Sequence, residues 1–279
     1  MTKKIFVIII IALCIQGFVN NPDYSILSGY NLSKNKVSRS ELPARLKEIS
    51  GITVSKDDRL FVHADENSTV YEVNKSGAII KQFTAGKNAV NGDFEDIAVA
   101  DGKLFLITSN GFLYKFSEGE HKSAVGYKRY DTGLSTSYDI EGLCYDPETN
   151  SLLIACKEYP GTGLKNVRSV YSYSLDSYSL TKKPRFVIDL IELKKRFGIN
   201  SFKPSAVARH PSTGNFFILS AAEKALAELS AEGVLLDAEK LSRNVHNQPE
   251  GLTFLSNRNM IITDEGKKKG TISVYEYNK

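Results

Sequence analysis

Tryptophan is absent from this chain, histidine occurs four times, cysteine three times, and neither sign of charge dominates, with 36 Lys and Arg against 32 Asp and Glu. So even a charge balance gives no basic face for nucleic acid. No CxxC pair is present, which removes the usual zinc spacings. There is no GxSxG elbow, no HExxH pair, no phosphate-cradling glycine loop and no EF-hand pattern. Only one long apolar run occurs, at the N-terminus. Apolar residues at 42% and charged residues at 24% exclude a disordered or collagen-like chain. The aromatics are 14 Tyr and 14 Phe, which lean toward strands.

Lys3 and Lys4 precede the run from Ile5 to Leu13, which holds no polar side chain. A basic stretch followed by a short apolar one has the form of an export signal. Three readings of residues 1–21 fit: a cleaved signal peptide, a retained membrane anchor, or a lipoprotein leader with Cys14 as the lipidated residue. Each places residues 22–279, read as one domain, beyond a membrane in the cell envelope. The membrane is then met only through the N-terminal segment. Cys144 and Cys156 remain in that domain. Ile140 to Tyr145 and Leu152 to Cys156 read as a hairpin in which Tyr145 faces Leu152 and Cys144 faces Leu153. Cys156 is then three residues out of register, too far for a disulfide, and two buried free thiols are expected.

A repeat organises the rest. Ser50-Gly51-Ile52, Glu95-Asp96-Ile97, Glu141-Gly142-Leu143, Ser205-Ala206-Val207 and Glu250-Gly251-Leu252 share one form and are spaced by 45, 46, 64 and 45 positions. An apolar run follows each, and then an alternating strand such as Val70-Tyr71-Glu72-Val73. A fourth strand follows in four of the five units, among them Val125 to Tyr130. Four short antiparallel strands per 40–50 residues is the pattern of a propeller blade. The fold expected is all-β: a five-bladed β-propeller of four-stranded antiparallel blades. The last unit lacks its outer strand, and Tyr24 to Leu32 is the N-terminal segment expected to supply it and close the ring. Gly51, Gly142, Gly251 and Ala206 are expected to let neighbouring backbones approach. Asp96 departs from this pattern and is expected to face water.

Strand order turns these positions into geometry. The start of each inner strand and the end of the second strand open on one face. The first set carries Ser50, Glu95, Glu141, Ser205 and Glu250. The second carries Asp65 and Glu66, Ser109 and Asn110, Lys157 and Glu158, Glu223, and Asp264 and Glu265. A ring of carboxylates is expected around one mouth of the channel. Crowded like charges need neutralising. Calcium is one answer, with Glu95, Glu141 and Glu250 as its ligands. A cationic or polyhydroxylated small ligand is another, and local lysines such as Lys157 and Lys224 are a third. Two insertions, one between Glu158 and Tyr171 and a helix at Asp189 to Phe197, are expected on the same face, as a binding surface or a packed lid. Of the histidines only His246 is placed on the acidic side, as a candidate base. His63 reads as a core residue and His210 as a turn residue on the opposite face.

These residues resemble the SdiA-regulated family. The match is carried by Leu46-Lys47-Glu48-Ile49-Ser50-Gly51-Ile52, Ala64-Asp65-Glu66, Phe94-Glu95-Asp96-Ile97-Ala98, Ile140-Glu141-Gly142-Leu143, Pro249-Glu250-Gly251-Leu252 and Thr263-Asp264-Glu265, over residues 25–279. The resemblance implies a bacterial envelope β-propeller with no settled activity. More distantly the chain is similar to calcium-dependent propeller phosphatases and lactonases, although Asp96, and Ser205 in place of Glu, depart from a complete metal site. Three functions follow as expectations. The first is an envelope module binding a small ligand or an envelope protein at the acidic mouth. The second is a calcium-dependent hydrolase of a phosphate ester or lactone, and the third a scaffold without a small-molecule site.

Overall fold

The computed structural model describes residues 24–32 and 37–278. They form five antiparallel sheets in chain order around one axis. Blade 1 runs Ile49–Val54, Leu60–Ala64, Thr69–Val73 and Ile79–Ala85 from axis to rim. Blade 2 runs Phe94–Ala100, Lys103–Thr108, Phe112–Phe116 and Tyr127–Asp131. Blade 3 is Ile140–Asp146, Ser151–Cys156 and Val167–Ser174, with the two short strands Ser179–Leu180 and Phe186–Asp189 sharing its outer edge. Blade 4 is Pro204–Arg209, Phe216–Ser220, Ala225–Leu229 and Leu235–Lys240. Blade 5 is Gln248–Phe254, Met260–Glu265 and Thr271–Tyr275, completed by Ser38–Glu41.

A single blade leaves both faces open, and the apolar residues show how stacking covers them. The buried side chains divide into five clusters, one per junction between neighbouring blades. Phe61, Val70 and Phe83 of blade 1 meet Phe94, Ile97 and Leu106 of blade 2. Ile52 and Val62 of blade 1 meet Ile261 and Ile272 of blade 5, which closes the ring. Burial of this kind contributes about 25 cal/mol for each Å² of apolar surface removed from water.

At the axis the inner strands pack directly on their neighbours. A Cβ on Gly142 would lie 2.9 Å from the backbone nitrogen of Val207 in blade 4, and one on Gly51 only 2.8 Å from Cα of Asp96 in blade 2. Glycine is therefore required by close approach of backbones, as its place in the repeat indicates.

The ring is closed by an N-terminal strand, but by a different one from that expected. Ser38–Glu41 pairs antiparallel with Thr271–Tyr275, Ser38 opposite Val274 and Glu41 opposite Thr271. The segment read as that strand instead makes a 3-10 turn at Leu27–Tyr30. It plugs the junction of blades 4 and 5, where Ile26, Leu27, Tyr30 and Leu32 are buried. Glu228, fully buried, holds the turn: its carboxylate accepts from Ser25 Oγ at 2.6 Å and from the backbone N–H groups of Ile26 and Leu27, each at 3.0 Å.

Two further segments differ from expectation. Val125 to Tyr130 is split: Ala124–Val125 runs parallel to the outer strand of blade 1, and Tyr127–Asp131 completes blade 2. The helix is present at Leu190–Phe197, capped by Asp189, which accepts from Ile191 and Glu192, and ended by Gly198 at φ 67°. It lies against the outer strands of blades 3 and 4, with Leu193 in their junction and Arg196 donating to the carbonyls of Leu235 and Leu236. It is a wedge at the rim and no lid on the channel. Cys144 faces Leu153 and Tyr145 faces Leu152, and both domain cysteines are free and buried. The run Ile5 to Leu13 and Cys14 lie outside the described residues, among which no helix is long and apolar enough to cross a membrane.

Gly142→Ala forces a methyl group into backbone, and an overpacked core of this type typically loses about 1–3 kcal/mol. Gly126→Ala, where a Cβ meets nothing within 4 Å, is expected to stay within about 0.5 kcal/mol of the parent. Urea unfolding of the two variants checks the contrast, and equal stabilities would contradict the close approach.

Candidate functional site

Every inner strand breaks its register at the same place. Phe94 pairs with Thr108 and Asp96 with Ile107, leaving Glu95 as the extra residue. The extra residues in blades 3, 4 and 5 are Glu141, Ser205 and Glu250 in the same way. In blade 1 Ser50 and Gly51 together oppose His63. A bulge removes one residue from the ladder and re-aims its side chain. Here five bulges at one level release the five polar motif residues at one end of the channel.

Glu141 stands close enough to Glu95 and to Glu250 for its charge to raise both of their carboxyls. Burial, reinforced by the Glu141 and Asp93 carboxylates, pushes the Glu95 carboxyl up. Burial also raises Glu141, against the pull of Lys157. Burial and the Glu141 charge push the Glu250 carboxyl up to about 8. Among these acids stands one ammonium: Lys157 Nζ is 2.5 Å from Glu141 Oε1 and 3.8 Å from Asp139. Burial draws its pKa down, but the bond to Glu141 and the charges of Glu141, Asp139 and Glu250 more than offset this, so it stays protonated.

Sequence reasoning placed lysines near the acids without bringing one to their centre. Lys157 occupies the position that a bound cation was expected to take. Among the described residues no group of three or more His, Cys, Asp or Glu side chains is gathered closely enough to hold a metal ion.

The other residues expected at the mouth divide in two. Glu158 is bound to Lys203 at 2.5 Å, and Glu223 accepts from Ser220 Oγ and from the backbone N–H of Lys203. Glu265 accepts from the Gln248 amide at 3.0 Å. Asp65 is half-buried, its carboxyl raised by burial and by Glu48 and Glu66, while Glu66 is exposed at the edge of blade 1 beside Arg45 and Lys47. Asp264 is buried and faces inward. Its carboxylate lies 2.7 Å from His246 Nδ1 and accepts from the backbone N–H of Asn247 at 2.8 Å. His246 Nε2 is 2.7 Å from the Tyr275 hydroxyl, and the ring is fully buried. Both ring nitrogens are thus taken, and His246 presents none to the mouth.

Asp96 is buried as well, contrary to expectation. Its carboxylate accepts from the backbone N–H of Leu143 at 2.6 Å and of Ile97 at 2.8 Å, tying blade 2 to blade 3. The Glu158–Tyr171 insertion builds an aromatic group of Tyr138, Tyr159 and Tyr171 beside a groove between blades 2 and 3, away from the channel.

What remains open is a cavity of about 250 Å³ bounded by blades 3, 4 and 5. It is lined by Glu141, Lys157, Lys203, Ser205, Ala221, Ala222, Lys224, Gln248 and Glu250. Ser205 Oγ donates to the Pro249 carbonyl at 3.0 Å and fixes the wall between blades 4 and 5. Lys224 holds its side chain from a left-handed backbone position, φ 50°. The far end of the channel is a smaller space lined by Val54, Val99, Tyr145, Arg209 and Phe254 among others.

Ring, bulges and charged mouth define a five-bladed β-propeller whose polar groups are gathered at one end of its channel. The family model for SdiA-regulated proteins matches residues 30–265, and the chain belongs to that family. No curated protein matches the sequence. Among solved structures it is similar to the glutaminyl cyclase of Myxococcus xanthus, with TM-score 0.56, 11% identity and coverage of 85% of this chain and 93% of that one. A luciferin-regenerating enzyme gives TM-score 0.54 at 10% identity, with 86% and 95% covered. A streptogramin B lyase gives 0.52 at 12%, with 86% and 97% covered. At these identities the likeness is one of fold.

The raised Glu250 carboxyl has a consequence for stability. Its ordinary value is 4.5 and its folded value about 8, so between these the folded chain binds more protons than the unfolded one. Stability is then full below the ordinary value and falls as pH rises through the folded one. Glu250→Gln keeps the shape of the protonated group. It is expected to make the decline between about pH 5 and about pH 8 shallower in urea titrations, and an unchanged slope would contradict the assignment.

Proposed function

We propose that the protein is a ligand-binding module of the cell envelope, and that the channel mouth is its binding site. The observation that carries this is the fivefold bulge, which withdraws Glu95, Glu141, Ser205 and Glu250 from the sheet ladder and leaves Glu141, Ser205 and Glu250 beside an open cavity. Packing alone has no use for that arrangement, because burying three carboxyls next to one another costs stability. Export is supported by Lys3, Lys4 and the apolar run that follows them. The ligand is small, in keeping with the cavity, and polar, in keeping with its lining.

Calcium is not part of this proposal, because Lys157 already supplies the positive charge that the acids require. A hydrolase is disfavoured on the same geometry: among the described residues the mouth has no free imidazole, and Glu141 is engaged by an ammonium.

Thermal unfolding of the purified protein with calcium chloride, sodium acetate, choline, glucose and 4-aminobutyrate tests the proposal. At least one organic solute is expected to raise Tm by linkage, an effect lost in Lys224→Gln and Glu250→Gln but kept in Tyr145→Phe at the far end of the channel. Calcium is expected to leave Tm unchanged. Stabilisation by calcium would restore the metal reading, and no stabilisation by any organic solute would leave a scaffold.

A further inference from the structure

The cavity between blades 3, 4 and 5 is lined by charges that are mostly paired. Glu141 is held by Lys157 and Lys203 by Glu158, each at 2.5 Å. Glu223 is turned into Ser220 and backbone, and Glu265 is engaged by Gln248. Two lining groups are left over. Lys224 makes no ion pair and its side chain no hydrogen bond among the described residues, and the Glu250 carboxyl, although mostly buried, likewise accepts and donates none. They come from different blades, Lys224 from the turn before Ala225–Leu229 and Glu250 from the bulge in Gln248–Phe254, and they face the same space.

Lys224 is also placed against its backbone preference. At φ 50° a glycine or asparagine is the common occupant, and a non-glycine residue there is held in a sparsely populated region. Ala221 and Ala222 are the only lining residues whose side chains carry no polar atom. The cavity thus presents one amine and one carboxyl whose side chains make no hydrogen bond among the described residues, and Ser205 and Gln248 also line it.

We propose that this cavity binds a small zwitterion, with its carboxylate against Lys224 and its ammonium against Glu250. The assignment rests on the mouth being a ligand site and adds the ligand's chemical class. Opposite charges at the two ends of one molecule satisfy both groups at once. A simple cation leaves Lys224 unpaired, and a simple anion leaves Glu250 unpaired. Binding the ammonium stabilises the ionised form of Glu250, so that uptake from neutral solution releases a proton from its carboxyl.

Unbranched ω-amino acids give both the probe and a ruler. Calorimetric titration of the protein with glycine, β-alanine, 4-aminobutyrate and 6-aminohexanoate is expected to show affinity peaking at one chain length. At that length, the amine without its carboxylate and the acid without its ammonium are each expected to bind about tenfold or more weaker, the range for one lost charge-assisted hydrogen bond. Lys224→Gln is expected to bring the amino acid down to the level of the amine, and Glu250→Gln to bring it down to the level of the acid. Lys224→Asn, which suits the left-handed backbone, guards against a folding defect and should behave as Lys224→Gln does. An amine or an acid binding as tightly as the amino acid would overturn the zwitterion and leave the mouth as a ligand site. Binding of none of the three classes would overturn the zwitterion, and absence of stabilisation by glucose as well would overturn the ligand site with it.

Discussion

Five strands brought to one axis leave no room between their backbones, and most of what is distinctive in this protein is a response to that crowding. It accounts for Gly142 facing the backbone of Val207 and for Gly51 facing Asp96. Each inner strand also carries a bulge at its upper end, and these bulges expel one residue apiece from the ladder. Three of the expelled residues are glutamates. The close approach that builds the ring is therefore also what forces carboxyl groups together at its mouth.

Carboxyl groups so crowded and so buried cannot all ionise. Part of the strain is met by protonation, as at Glu250, and part by the Lys157 ammonium against Glu141 and Asp139. With that cation built into the chain, the mouth changes from an acidic ring into a mixed-charge pocket. This is the main respect in which the three-dimensional arrangement departs from what a count of acids implies.

Much of the architecture was legible because a propeller repeats: the motif spacing, the Tyr-bearing strands and the register of Cys144 against Leu153 follow from local pattern. The closing strand was not. Ser38–Glu41 lies on the outer edge with a largely exposed side-chain pattern, so it carries no apolar alternation to be read. The segment Tyr24 to Leu32 does carry apolar residues, but they serve a turn held by Glu228, a partner about two hundred residues away. For the same reason Asp96 looked like a wet residue: its partners are backbone N–H groups, one of them Leu143 in the next blade, which composition cannot reveal. The positions of Glu95, Glu141 and Glu250 on one face were predictable from strand order. Lys157 at their centre was not, because a long side chain one position past the end of a strand has no periodicity to fix its direction. His246 was assigned to the right side of the molecule and the wrong depth, since Asp264 and Tyr275 draw it into the blade.

The account turns on carboxyl groups held un-ionised at the channel mouth by burial and by one another. Carbon-13 NMR of the glutamate side-chain carboxyls, titrated against pH and assigned through Glu95→Gln, Glu141→Gln and Glu250→Gln, observes this directly. The expected result is that Glu250 titrates near 8 and that Glu95 and Glu141 also lie well above the ordinary 4.5. Three mouth glutamates titrating together at the ordinary value would contradict it.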